Sequence, residues 1–152
     1  MCQGYFESGR PKLKAILFSQ TLNITQVKFL LDTGADDTSI TLRDAQLLGV
    51  NLDEVVTDDN RIIVEGIGGN TDIYPIRDTI AFVFIDSYEE VGKTSYHIEF
   101  LDKIDLIPTL PISLLGRDLL NRFDIEISTV PEKVNLKRND FGGSGHICFS
   151  YP

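Results

Sequence analysis

The sequence predicts a mostly β protein. Apolar or β-branched runs of strand length recur along its 152 residues, bounded by Asn, Gly or Pro. Only two stretches carry helix-boundary signals. No repeat, low-complexity tract or linker breaks the chain, and at this length it can bury one core but hardly two, so one domain is expected.

Residues 12–19 and 26–31 read as a hairpin with its turn near Asn23. The second of these strands runs Phe29-Leu30-Leu31 straight into Asp32. Thr41-Leu42-Arg43-Asp44 offers a helix N-cap with an acid three positions on, residues 45–48 continue the helix, and Gly49 ends it. Residues 61–65 and 71–76 flank Gly66-Ile67-Gly68-Gly69, as the arms of a protruding hairpin would. Residues 79–86 and 96–101 are further strands, joined by a polar loop over 87–94. The stretch 111–123 reads as an apolar strand end turning into a second short helix, and 124–128 with 133–136 forms a last hairpin around Pro131. Residues 139–145 read as a loose, glycine-rich connection to a final strand over 147–151.

Composition removes several function classes. With 23 acidic against 14 basic residues the net charge is −9, which disfavours nucleic acid as a partner. Cys2 and Cys148 lack the paired spacing of a zinc site, so no metal or cofactor is expected, and so few cysteines fit a reducing compartment. Neither a signal-peptide pattern nor an 18-residue apolar run is present, so the expectation is a cytoplasmic protein with no membrane partner. Asn23-Ile24-Thr25 matches a glycosylation sequon, which carries weight only in a secreted chain. The glycine tip fails as a nucleotide fingerprint, because Thr71 holds the third glycine position and strand rather than helix follows. His97 and His146 stand in no metal-binding or nucleophilic pattern and read as surface or strand residues; Gly142-Gly143-Ser144-Gly145-His146 lacks the last glycine of a serine-hydrolase elbow.

What remains is a carboxylate behind two leucines. Attack of water on an amide needs one carboxylate to accept a proton and a second, protonated one to polarise the carbonyl. Two carboxyls about 3 Å apart cannot both ionise easily, so a shared proton supplies acid and base together. Asp32-Thr33-Gly34 suits half of such a pair: the glycine permits a tight turn, and the threonine hydroxyl can bond main chain across it. The triplet alone could equally be a structural turn.

Its context adds to this. Leu30-Leu31-Asp32-Thr33-Gly34-Ala35-Asp36-Asp37-Thr38-Ser39, then Gly66-Ile67-Gly68-Gly69, then Leu114-Leu115-Gly116-Arg117-Asp118-Leu119-Leu120 occur in that order. The combination resembles the retropepsin-like aspartic proteases, the single-domain relatives of pepsin, over roughly residues 12–136. The resemblance implies a closed acid-protease β-barrel with two short helices, one domain per chain, working as a homodimer. It makes Asp32 the catalytic aspartate, lets Thr33 brace the two active-site loops, and turns the 61–76 hairpin into a flap. Gly34, Asp36 and Asp37 would line the cleft with Gly66, Ile67, Gly68 and Gly69 and bond a peptide or unfolded protein substrate. Arg117 would pair with Asp36 and lock the second helix beneath the catalytic loop, although the same charges also fit a solvated cluster. Ile63, Val64, Ile67, Ile73 and Ile112 are candidates for apolar substrate pockets or, equally, for core.

The chain departs from compact viral enzymes in an acidic loop over 51–60, a second loop over 88–94, and a continuation past Phe123, an ending closer to cellular and microbial members. Residues 1–11 are set apart as an N-terminal segment and 137–152 as a tail able to supply a strand at the dimer interface. Only one Asp-Thr-Gly triplet occurs, so a dyad requires two chains. Two rival readings stay open: a peptide-binding or scaffold module that keeps the fold without turnover, and the processing protease of a viral or retroelement polyprotein.

Overall fold

A computed structural model of the chain describes residues 1–66, 68–87, 94–139 and 147–150. In chain order its strands are β1 (Cys2–Gln3), β2 (Tyr5–Glu7), β3 (Arg10–Phe18), β4 (Thr25–Leu31), β5 (Ser39–Ile40), β6 (Ile62–Gly66) and β7 (Gly69–Ile76). Then follow β8 (Ile80–Ser87), β9 (Thr94–Leu101), β10 (Ile104–Leu106), β11 (Ser113–Leu115), β12 (Phe123–Thr129), β13 (Glu132–Arg138) and β14 (Ile147–Ser150). Helices are brief: α1 (Leu42–Leu47), α2 (Leu52–Val55) and α3 (Arg117–Leu120). None is long and apolar enough to cross a membrane.

The strands pair in the order β14-β12-β13-β1-β8-β3-β4-β11-β5-β10-β7-β6, with β2 on β3 and β9 on β8. This sheet curls into a half-barrel whose two end strands, β14 and β6, are not paired with each other. Alternation explains the curl's inner face. Leu13, Ala15 and Leu17 of β3 and Val27, Phe29 and Leu31 of β4 are all buried, and they meet Phe82 and Phe84 of β8 across the core. Phe29 packs on Phe82 at a centroid distance of 6.0 Å, and Phe84 meets the edge of Phe123 at the same distance.

Most expected elements stand where the residues placed them. In α1 the Thr41 side chain accepts from the Asp44 N–H at 3.1 Å, and Gly49 follows with φ 74°. Two expectations need correction. Among the described residues three short helices form rather than two, because the 51–60 stretch, expected as a loop, contains α2 and a 3-10 turn at Asp58–Asn60. Leu52 and Val55 pack against the core from it, a pair too short to show a period in sequence. Residues 1–11 also join the sheet: Cys2 pairs with Leu136 on one side and Asp86 on the other.

Candidate active site

The loop from Asp32 to Thr38 is positioned by a parallel pairing. β11 lies beside β4 with Leu115 opposite Leu31, so both strands leave the sheet at the same end. The Asp32 N–H donates to the Leu115 carbonyl at 3.0 Å, which places the loop against Gly116 and the start of α3. Within the loop the Gly34 N–H donates to Asp32 Oδ1 at 3.0 Å and the Ala35 N–H to the Asp32 carbonyl at 3.2 Å, a tight turn that presents a half-buried carboxylate. Thr33 is also half-buried, and its hydroxyl has no hydrogen-bond partner among the described residues. Gly34 is exposed.

α3 holds this loop mostly through groups the sequence did not single out. The Arg117 N–H donates to the Ala35 carbonyl at 2.8 Å and the Asp118 N–H to the Asp36 carbonyl at 3.0 Å. The Asp118 carboxylate in turn accepts from the Thr38 N–H at 2.9 Å and the Thr38 hydroxyl at 2.6 Å. That hydroxyl also accepts from the Gly116 N–H at 3.1 Å. Thr38 is fully buried, so each of these donors would cost free energy if left unpaired. Close approach demands a glycine: a Cβ at Gly116 would lie 2.4 Å from the Asp37 carbonyl carbon and 2.8 Å from the Thr38 nitrogen. On its far side Thr38 is held by β10, whose Asp105 N–H donates to the Thr38 carbonyl at 3.1 Å. Burial pushes the Asp105 carboxyl above the usual carboxylate range, against the pull of Lys103 at 3.1 Å.

Arg117 does pair with Asp36. The pair is exposed, with 49% and 78% of the two side chains accessible, so the expectation that it locks α3 beneath the loop is corrected: main-chain bonds and the half-buried Asp118, bonded to buried Thr38, do that. Asp37 is about half exposed and lies 3.5 Å from Lys103. Both acids of the loop therefore have a cation, whereas no cation pairs with Asp32 among the described residues.

The β6–β7 hairpin pairs from Ile62 opposite Ile73 to Gly66 opposite Gly69. All five residues of β6 are exposed, including Ile63 and Val64, while Ile73 and Ile112 are half-buried. The positive φ of the tip falls at Gly69, 108°, and nothing lies within 4 Å of a Cβ at Gly68 or Gly69. Ile67, expected at this tip, lies outside the described residues. At the hairpin's base the Asn60 amide donates to the Val55 carbonyl at 2.9 Å and the Pro75 carbonyl at 3.0 Å, tying the α2 segment to β7.

Behind α3 sits an ionic cluster invisible in the sequence. Glu99, 7% exposed, accepts from Arg122 Nη1 at 2.9 Å, stands 2.6 Å from Arg138 Nε, and bonds His97 Nε2 at 2.8 Å. Burial works against the ionised carboxylate, but the bonds from His97 and Arg122 and the charge of Arg138 hold it below the usual range. His97 is the strand residue the sequence suggested, and it also partners a buried acid. The trace in sequence is Glu99 two positions after His97, between Ile98 and Phe100; its two arginine partners, Arg122 and Arg138, are distant in the chain.

No curated protein matches this chain. Among solved structures it is similar to a retropepsin-like aspartic protease from Rickettsia conorii, at 27% identity and a TM-score of 0.57, over 90% of this chain and 88% of that one. It is also similar to the EIAV protease complexed with the inhibitor HBY-793, at 22% identity and a TM-score of 0.41, over 76% of this chain and 89% of that one. The family model for retroviral aspartyl proteases matches residues 8–128, most of the chain and every element of the Asp32 site. The chain belongs to the retroviral aspartyl protease family.

Proposed function

We propose that this protein is an aspartic endopeptidase whose catalytic dyad is formed by Asp32 from each of two protomers. One observation carries the reading: the Asp32 loop is clamped by Gly116 and Asp118, yet its other two carboxylates are engaged by Arg117 and Lys103. A lone carboxylate cannot act as base and acid in one step, and the sequence contains no second Asp-Thr-Gly triplet. A two-fold dimer supplies the second group, and proximity of like charges raises one of the two pKa values so that a proton is shared. Water held between the pair loses a proton to the ionised Asp32 and attacks the scissile carbonyl, whose oxygen takes the proton of the other Asp32. Thr33, whose hydroxyl has no partner among the described residues, braces the paired loops.

The substrate is an extended peptide or unfolded segment bound as an added strand. Gly34, Asp36 and Asp37 face its main chain from below; Gly66, Ile67, Gly68 and Gly69 close over it as a flap. The relatives' description as proteases supports this reading over a peptide-binding module without turnover.

Wild-type chain is exchanged to equilibrium with an equal amount of Asp32→Asn, with exchange verified by mass. Random pairing leaves about half of the wild-type chains in wild-type dimers, so activity on an unstructured polypeptide at acidic pH falls to about half. Activity that stays constant through the titration refutes the shared site.

A further inference from the structure

The outer face of the β3, β8 and β9 region is apolar where a solvent-facing sheet should be polar. Phe18 lies opposite Ala81, which lies opposite Phe100; Ile16 lies opposite Val83, which lies opposite Ile98. A third row pairs Ile85 with Tyr96. Phe18, Ile85, Tyr96, Ile98 and Phe100 are 38%, 52%, 61%, 47% and 56% exposed.

This is no accident of register. A one-residue slip of β9 would turn its apolar set inward, yet Glu99 and His97 are the inward residues, and the buried Glu99 is held by His97, Arg122 and Arg138. The chain thus uses a buried ionic cluster to hold Tyr96, Ile98 and Phe100 outward.

We infer that this face is an interface at which a second copy of the chain packs, sheet on sheet, about a two-fold axis running across the strands over the Ile16, Val83 and Ile98 row. Area and charge both favour a second copy. At roughly 150–250 Å² for each aromatic side chain, the three half-exposed aromatics leave on the order of 300 Å² of apolar surface, and Ile85 and Ile98 extend it toward the upper limit for a monomer and a large share of the ~800 Å² that each partner buries in a specific interface.

The ends of the patch carry opposite charge. Lys14, exposed, stands two residues before Ile16 on the same face of β3, with its ammonium 5.3 Å from the Tyr5 ring centroid. Beyond Phe18 at the other end, the Asp78 carboxylate accepts from the hydroxyls of Ser19 at 2.9 Å and Thr21 at 2.6 Å, and no cation pairs with it among the described residues. The Thr21 bond foremost holds Asp78 below the usual carboxylate range. A two-fold axis across the strands sets the Lys14 end of each copy over the Asp78 end of the other and stacks each Ile98 on its own counterpart. The inference does not rest on the role given to Asp32.

The test uses the full chain. In Ile98→Cys, a bis-maleimide with a spacer of about 10 Å, the separation of packed sheets, should join position 98 to position 98, identified by mass spectrometry of the linked peptide. A Val56→Cys chain treated alike, whose exposed site lies off this face, sets the background. In light scattering over a concentration series, Ile98→Lys should weaken association beyond the Asp32-paired dimer at least tenfold, leaving that dimer intact. Lys14→Glu should also weaken this further association, and adding Asp78→Lys in the same chain should restore it. Absence of the 98–98 product above background, unchanged association in Ile98→Lys, or no rescue by the double reversal would each overturn the interface; the last would point to a partner other than a second copy.

Discussion

The Asp32 loop and the β6–β7 hairpin are both turns built on glycine, and they are held in opposite ways. A Cβ at Gly116 would collide with backbone of the loop beside it, whereas a Cβ at Gly68 or Gly69 meets nothing. The loop is fastened by bonds to buried Thr38 and by the main chain of α3; the hairpin has its own ladder and a tie at Asn60, with every residue of β6 exposed. In the proposed dyad, a carboxylate that must meet its counterpart to within a hydrogen-bond length needs the first arrangement. A hairpin acting as the proposed flap, admitting a peptide and then covering it, needs the second.

Four substitutions probe this contrast, beginning with the largest loss. Gly116→Ala drives a methyl into the main chain at Asp37 and Thr38, which cannot yield as a side-chain tip would, so urea unfolding should show a loss of about 3 kcal/mol. Asp118→Ala leaves the Thr38 N–H and hydroxyl unpaired in a buried site, and the same measurement should show about 2 kcal/mol. A loss under ~0.5 kcal/mol there would mean that the loop does not depend on the clamp. Arg117→Ala removes an exposed ion pair, and the cost should stay below ~1 kcal/mol, diminishing further in salt. Gly68→Val should change stability least, within about 0.5 kcal/mol, because its surroundings are open. Its effect should fall instead on kcat/KM for a peptide; unchanged kinetics would make the tip an ordinary turn.

Local signals were the legible ones. The Thr41 cap and Gly49 terminator of α1, the hairpin over residues 12–31 and the glycine tip each depend on residues a few positions apart, and each could be read off the chain. β5 and β10, two and three residues long, carry no period and were invisible. The pairing of Arg117 with Asp36 was foreseen from family resemblance, but its exposure was not, since accessibility depends on everything packed around a pair. Asp118, next to it and more deeply engaged, attracted no notice because its partner Thr38 is 80 positions away.

By itself the sequence determined that this is a mostly β chain and that one Asp-Thr-Gly turn follows a buried strand, because strand alternation, caps and turn glycines act over a few residues. The tertiary structure alone decided that β4 and β11 run parallel and end side by side, that the Asp118 carboxylate rather than the Arg117 guanidinium joins the main-chain bonds securing the loop, and that β9 turns its acid inward and its aromatics outward. Those outcomes depend on which distant groups share a buried site, where an unpaired donor or charge costs far more than it does in water.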